Sequence, residues 1–195
     1  MKKSLFSILL MAGVLASIPV MSRHGSAATL LAYEGYNEEG NDNGLYSIDT
    51  ATATATLIGA DFASYYISEI ELSPDGVIYA ADTDAENKIL LHTIDPSTGL
   101  VTGAITMTFP PGGNVLTALE FVGSTLYAGL TTEGGGGPTF LATVDIGTGI
   151  VSTVGPTGVS TPLGGLAYDV ANSVMYGISA GGSPAELFTI DLSTG

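Results

Sequence analysis

The 195-residue chain carries 19 acidic residues against four basic ones, a formal net charge of −15, and has neither Cys nor Trp. Nucleic acids and anionic membrane surfaces need Lys and Arg to displace their counterions, so both are poor partners, whereas cations or cationic groups fit this charge. Without thiols the fold uses neither disulfides nor thiolate-held metals.

Lys2 and Lys3 precede an apolar run from Leu5 to Val20, which the small residues Gly25, Ser26, Ala27 and Ala28 follow. That order predicts a secretory signal peptide over 1–28, cleaved after Ala27 or Ala28, and an address in the cell envelope or outside the cell. The run falls short of the ~20 residues that span a bilayer, so no integral membrane span is expected in the mature chain. Lys88 is the one basic residue beyond this leader.

From residue 29 onward the chain repeats itself. GLYSIDTATATATLIG (44–59), LLHTIDPSTGLVTGAI (90–105), FLATVDIGTGIVSTVG (140–155) and LFTIDLSTG (187–195) are versions of one phrase. Its aspartates, Asp49, Asp95, Asp145 and Asp191, are spaced by 46, 50 and 46 residues. A second phrase lies between them: ISEIELSPDGVIYAAD (67–82), LTALEFVGSTLYAGLT (116–131) and LGGLAYDVANSVMYGIS (163–179), with Tyr79, Tyr127 and Tyr176 at matching places. In the second unit the runs read as strands over 67–72, 77–82, 89–94 and 100–107, each β-branched or apolar and bounded by Gly, Pro, Asp or Asn. No window of helical period with caps competes with them. Four strands per unit predict an all-β fold of four-stranded antiparallel blades, a β-propeller, because propeller repeats run ~40–50 residues. The units fall at about 29–60, 67–107, 116–156 and 163–195. The first opens on the equivalent of a second strand and the last stops before a fourth. The count is about three and a half blades against the usual four or more, which predicts an incomplete propeller continuing C-terminally.

The paired patterns L-Y-x-I-D-P-x-T-G-x-x-T-x-V-G and G-L-A-Y-D-x-x-x-x-x-L-Y-G resemble those of exported bacterial β-propeller repeat proteins of the YVTN and quinoprotein-like kind. The resemblance covers 45–59, 90–105, 140–155 and 163–195. It implies the propeller fold and says little about activity, since one such scaffold hosts many functions.

The Asp of the repeat reads as a turn residue. In Asp95-Pro96-Ser97-Thr98-Gly99 the carboxylate caps N–H groups two or three residues on, and Gly99 takes the left-handed conformation that closes the hairpin. Ala53 stands at that place in the first copy. Ser73-Pro74-Asp75-Gly76 reads as a second turn, between the first and second strands. His92 aligns with Tyr46, Ala142 and Phe188 and reads as a packing residue, with no nucleophile motif near it.

Two acidic groupings are candidates for cation binding. The loop Asp82-Thr83-Asp84-Ala85-Glu86-Asn87 alternates oxygen donors as a calcium loop does, although Asn87 and Thr93 replace the Gly and Glu of an EF-hand. Asp82, Asp84 and Glu86 are therefore candidate Ca²⁺ ligands in a looser site, as are Glu38, Glu39 and Asp42. Glu71 and Glu120 share one place on successive innermost strands, where Ala167 stands in the next copy and Glu69 has no acidic counterpart. They could line an axial channel and hold a cation, as in the propeller hydrolases that the scaffold resembles.

These readings favour an exported, non-enzymatic binding or scaffold module that meets a protein, glycan or cation through its loops. A propeller hydrolase or lactonase with an axial metal on the channel carboxylates is the alternative. A quinoprotein-like dehydrogenase is disfavoured by the lack of Trp and of basic residues to hold an acidic cofactor.

Overall fold

A computed structural model describes residues 29–34, 44–59, 67–83, 88–111, 115–132, 137–180 and 185–195, in which every regular element is a strand. They form four antiparallel meanders. The first sheet is β1 (Thr29–Glu34), β2 (Gly44–Asp49) and β3 (Thr54–Gly59). The second is β4 (Ile67–Leu72), β5 (Ile78–Thr83), β6 (Ile89–Ile94) and β7 (Val101–Thr106). The third is β8 (Val115–Val122), β9 (Thr125–Thr131), β10 (Phe140–Val144) and β11 (Val151–Pro156). The fourth holds β12 (Leu163–Asp169), β13 (Val174–Ser179) and β14 (Leu187–Ile190). β8 packs against both β4 and β12, so the first strands of successive complete units lie innermost and side by side. This is an all-β chain of antiparallel propeller blades, and among the described residues the propeller is incomplete. The strands predicted in the second unit are present to within one or two residues.

Alternation along each strand feeds two cores at once, one on either face of a blade. On β5, Ile78 and Ala80 join Leu45, Ile67, Ile70 and Ile94 between the first and second sheets. Ala81, with Tyr79 packed beside it, joins Leu91, Leu119, Leu126 and Val144 between the second and third. A third core, of Ala118, Leu141, Leu163, Met175 and Ile190, separates the third and fourth. Many of these side chains are wholly buried, at ~1.5–3 kcal/mol for each Leu or Ile.

The innermost strands share an irregularity that plain alternation does not foresee. Register shifts occur between Ile67 and Glu69, Leu116 and Ala118, and Leu163 and Gly165. The extra residue lets Ile67 and Ile70, Leu116 and Leu119, and Leu163 and Leu166 each serve one core at a spacing of three. Where it carries a hydroxyl, that group bonds a carbonyl of the second strand: Ser68 to Ala81 at 3.4 Å and Thr117 to Gly129 at 3.3 Å.

The aspartates of the repeat cap turns, as expected. The backbone N–H two residues on donates to the carboxylate at Asp49 (2.8 Å), Asp95 (2.8 Å), Asp145 (2.9 Å) and Asp191 (2.7 Å). The closing position is left-handed in every copy, at φ 54° for Ala53, 69° for Gly99, 75° for Gly149 and 91° for Gly195. Packing supplies a second reason for Gly in three of the four copies. A Cβ at Gly99 would strike the backbone of Gly59, one at Gly149 the carbonyl of Thr106, and one at Gly195 the backbone of Gly155. Each turn thus seats on the outer strand of the preceding blade. In one joint the N–H of Thr108 donates to the Gly149 carbonyl (2.9 Å) and that of Val151 to the Thr108 carbonyl (2.9 Å).

Candidate functional site

Glu71 lies on β4 opposite Tyr79, and Glu120 lies on β8 opposite Tyr127. Register turns each carboxyl toward the next blade. Glu71 shares a face with Tyr79 and Ala81, which border the core before the third sheet. Glu120 shares one with Ala118 and Val122, which border the core before the fourth. Both are buried, at 6% and 4% exposure. The N–H of Phe121 on β8 donates to Glu71, and that of Tyr168 on β12 donates to Glu120. Phe121 and Tyr168 occupy the same place in successive units, so one contact occurs twice. An innermost strand is an edge strand whose outward N–H groups lack a ladder partner. A glutamate from the blade before supplies one.

Burial sets the protonation of these groups. It pushes Glu71 up to about 8, helped by the negative charge of Glu120 and opposed by the N–H groups of Phe121 and Leu72. Burial likewise raises Glu120 to about 7, against the Tyr168 N–H. Glu69 is half-buried and raised to about 8, again by burial. Burial thus favours the protonated form of Glu69 and Glu71 near neutral pH. Tyr79 and Phe121 cover this region with ring centroids 5.5 Å apart.

The candidate loop site divides. Asp84 and Glu86 lie outside the described residues, as do Glu38, Glu39 and Asp42. Asp82 belongs to β5, because the ladder runs on through Asp82↔Leu90 and Thr83↔Ile89. Its side chain is 3% exposed and meets His92 Nε2 through Oδ2 at 3.3 Å; Oδ1 is buried with no hydrogen-bond partner among the described residues. Asp82 and His92 share the face of Ala80, toward the first sheet, opposite to that of Glu71. The sequence placed His92 as a packing residue, and the structure adds its acidic partner. Aligning the units by column hid the pair, since Leu130 and Ala142 hold these places in the third blade. The register of β5 against β6 sets Asp82, which lies opposite Leu90, diagonal to His92.

Among the described residues no three or more His, Asp or Glu side chains are grouped to hold a metal ion. The outer aspartates show what the repeat does with exposed acids. Hydrogen bonds from Ser97 hold Asp95 below the usual carboxylate range, as those from Gly147 and Thr148 do Asp145 and those from Ser193 do Asp191. Asp169 is lowered in the same way by Asn172, in a turn where Ser173 takes φ 54°.

No helix among the described residues is long and apolar enough to cross a membrane, which says nothing of membrane β-barrels. No family model matches the sequence, nor does any curated protein. Among solved structures the chain is similar to the Dos1 propeller, at 15% identity and TM-score 0.49 over 85% of this chain and 43% of that one. It is also similar to the extracellular domain of a hybrid two-component system from B. thetaiotaomicron, at 17% identity and TM-score 0.42 over 85% and 22%. A protein of unknown function from Bacteroides caccae matches at 12% identity and TM-score 0.45 over 86% and 59%. The chain spans less than two thirds of the length of each of these structures.

Proposed function

We propose that this chain is an exported, non-enzymatic β-propeller scaffold that binds its partner, a protein, glycan or cation, through the acidic loops at one end of its blades. One observation carries the reading: the acids of the repeat are already occupied in building blades. Asp49, Asp95, Asp145 and Asp191 cap turns, Glu71 and Glu120 bond the next blade, and Asp82 meets His92. The loops between second and third strands, by contrast, differ from unit to unit in length and charge. Variable loops on a repeated frame are where propellers and other scaffolds bind. The leader supports export, and N-terminal sequencing of secreted material should find Thr29 or Ala28 first.

Metal analysis of the purified full-length protein, with a screen of lactone and ester hydrolysis, tests the reading. The scaffold has no stoichiometric metal on its inner strands and no hydrolytic turnover. One tightly held Ca²⁺ per chain, lost with turnover in Glu71→Ala or Glu120→Ala, would establish the hydrolase alternative.

A further inference from the structure

The joints between innermost strands contain a chemical asymmetry that neither the scaffold role nor the fold requires. Two consecutive joints, β4 to β8 and β8 to β12, are each bridged by a buried glutamate that accepts an N–H from the next blade. The equivalent residue on β12 is Ala167, which is exposed. A hydrophobic or amide side chain could hold such a joint at any pH, whereas a carboxyl holds it in two charge states.

The groups facing each glutamate decide which state the joint tolerates. Toward Glu71 these are Glu69 on β4, Tyr79 on β5 and Glu120 on β8. Toward Glu120 they are Glu71 on β4, Tyr127 on β9 and Tyr168 on β12. No basic side chain is among them. His92 sits with Asp82 on the opposite face of its sheet, and Lys88 is exposed at the start of β6. Ionisation would therefore put negative charge between apolar strands with one or two N–H groups to receive it and a second acid nearby. Unpaired buried charge is among the most destabilising features a core can hold.

We propose that Glu71 and Glu120 make the seam of β4, β8 and β12 a proton-dependent joint, closed while the two carboxyls are neutral and loosened between the second, third and fourth blades when they ionise. The device biases one element, the seam of β4, β8 and β12, and leaves the outer hairpins in place. On the proposed reading of the chain as exported, it makes the blade packing responsive to the pH outside the cell.

Amide hydrogen exchange at Phe121 and Tyr168, corrected for the intrinsic base-catalysed rate, reads the joint directly. In the full chain, protection of these two amides should fall by at least ~10-fold between about pH 6 and pH 9, while amides of the β6–β7 hairpin keep theirs. In Glu71→Gln/Glu120→Gln, whose amides accept the same bonds without ionising, protection should persist across that range. Protection independent of pH in the unmodified protein, or lost equally in the Gln double variant, would overturn the proposal.

Discussion

The outer hairpins and the inner strands of each blade use acidic residues in opposite ways. At the rim, Asp95, Asp145 and Asp191 stand in water and bind N–H groups of their own turns, which favours the ionised form. At the centre, Glu71 and Glu120 are removed from water and bind an N–H of the neighbouring blade, and burial favours the neutral form. The first arrangement shapes a blade; the second joins two. The same chemical group thus serves local and long-range structure, and solvent decides which protonation state it works in.

The largest expected effect comes from crowding the rim. Gly99→Ala adds a Cβ against the backbone of Gly59 at a left-handed position, so it should cost about 2–4 kcal/mol in denaturant unfolding. A loss below about 1 kcal/mol would mean that the turn does not seat on the neighbouring blade as described.

At the centre, Glu71→Ala leaves a small void and an unsatisfied Phe121 N–H, and should cost about 2–3 kcal/mol at neutral pH. Glu71→Gln keeps the shape and the acceptor without having to hold a carboxyl neutral, so it should match or exceed the unmodified stability there. Equal losses in the two variants would show that the charge, not the neutral acceptor, holds the joint.

The smallest effect reverses direction. Ala53 occupies the left-handed place that its sister turns give to Gly, so Ala53→Gly should stabilise by about 0.5–1 kcal/mol, visible as a raised midpoint of thermal unfolding. A destabilised variant would show that Ala53 contributes packing which outweighs its backbone strain.

The rim of the blade was legible in the sequence because its causes are local. The spacing Asp-x-x-x-Gly states the turn, and the left-handed Ala53 was readable from its alignment with three glycines. Strand limits followed for the same reason. The joints were less legible. Glu71 and Glu120 were singled out by their shared place, but their burial and their N–H partners on the next blade depend on packing between segments some 50 residues apart. The bulges at Ser68, Thr117 and Gly164 were missed because a spacing of three among apolar residues contradicts simple alternation. Glu69 was set aside for lacking a counterpart, although burial shifts it as far as Glu71. The Asp82–His92 contact is particular to one blade, so comparing repeats concealed it.

The central claim is that the acids of this repeat hold the blades, neutral within and ionised without. Its most direct test is the midpoint of thermal unfolding as a function of pH. Groups with raised values give stability that is complete below about 4.5 and lost as pH rises through about 7 to 8. Groups with lowered values, the rim aspartates, give stability present above 3.8 and lost as pH falls through their folded values. The midpoint should therefore peak on the mildly acid side and decline toward alkaline pH. Glu71→Gln/Glu120→Gln should flatten the alkaline decline, and Asp95→Asn/Asp145→Asn should weaken the acid one. A midpoint that holds steady or climbs from about pH 5 to about pH 9, unchanged by the Gln substitutions, would contradict the account.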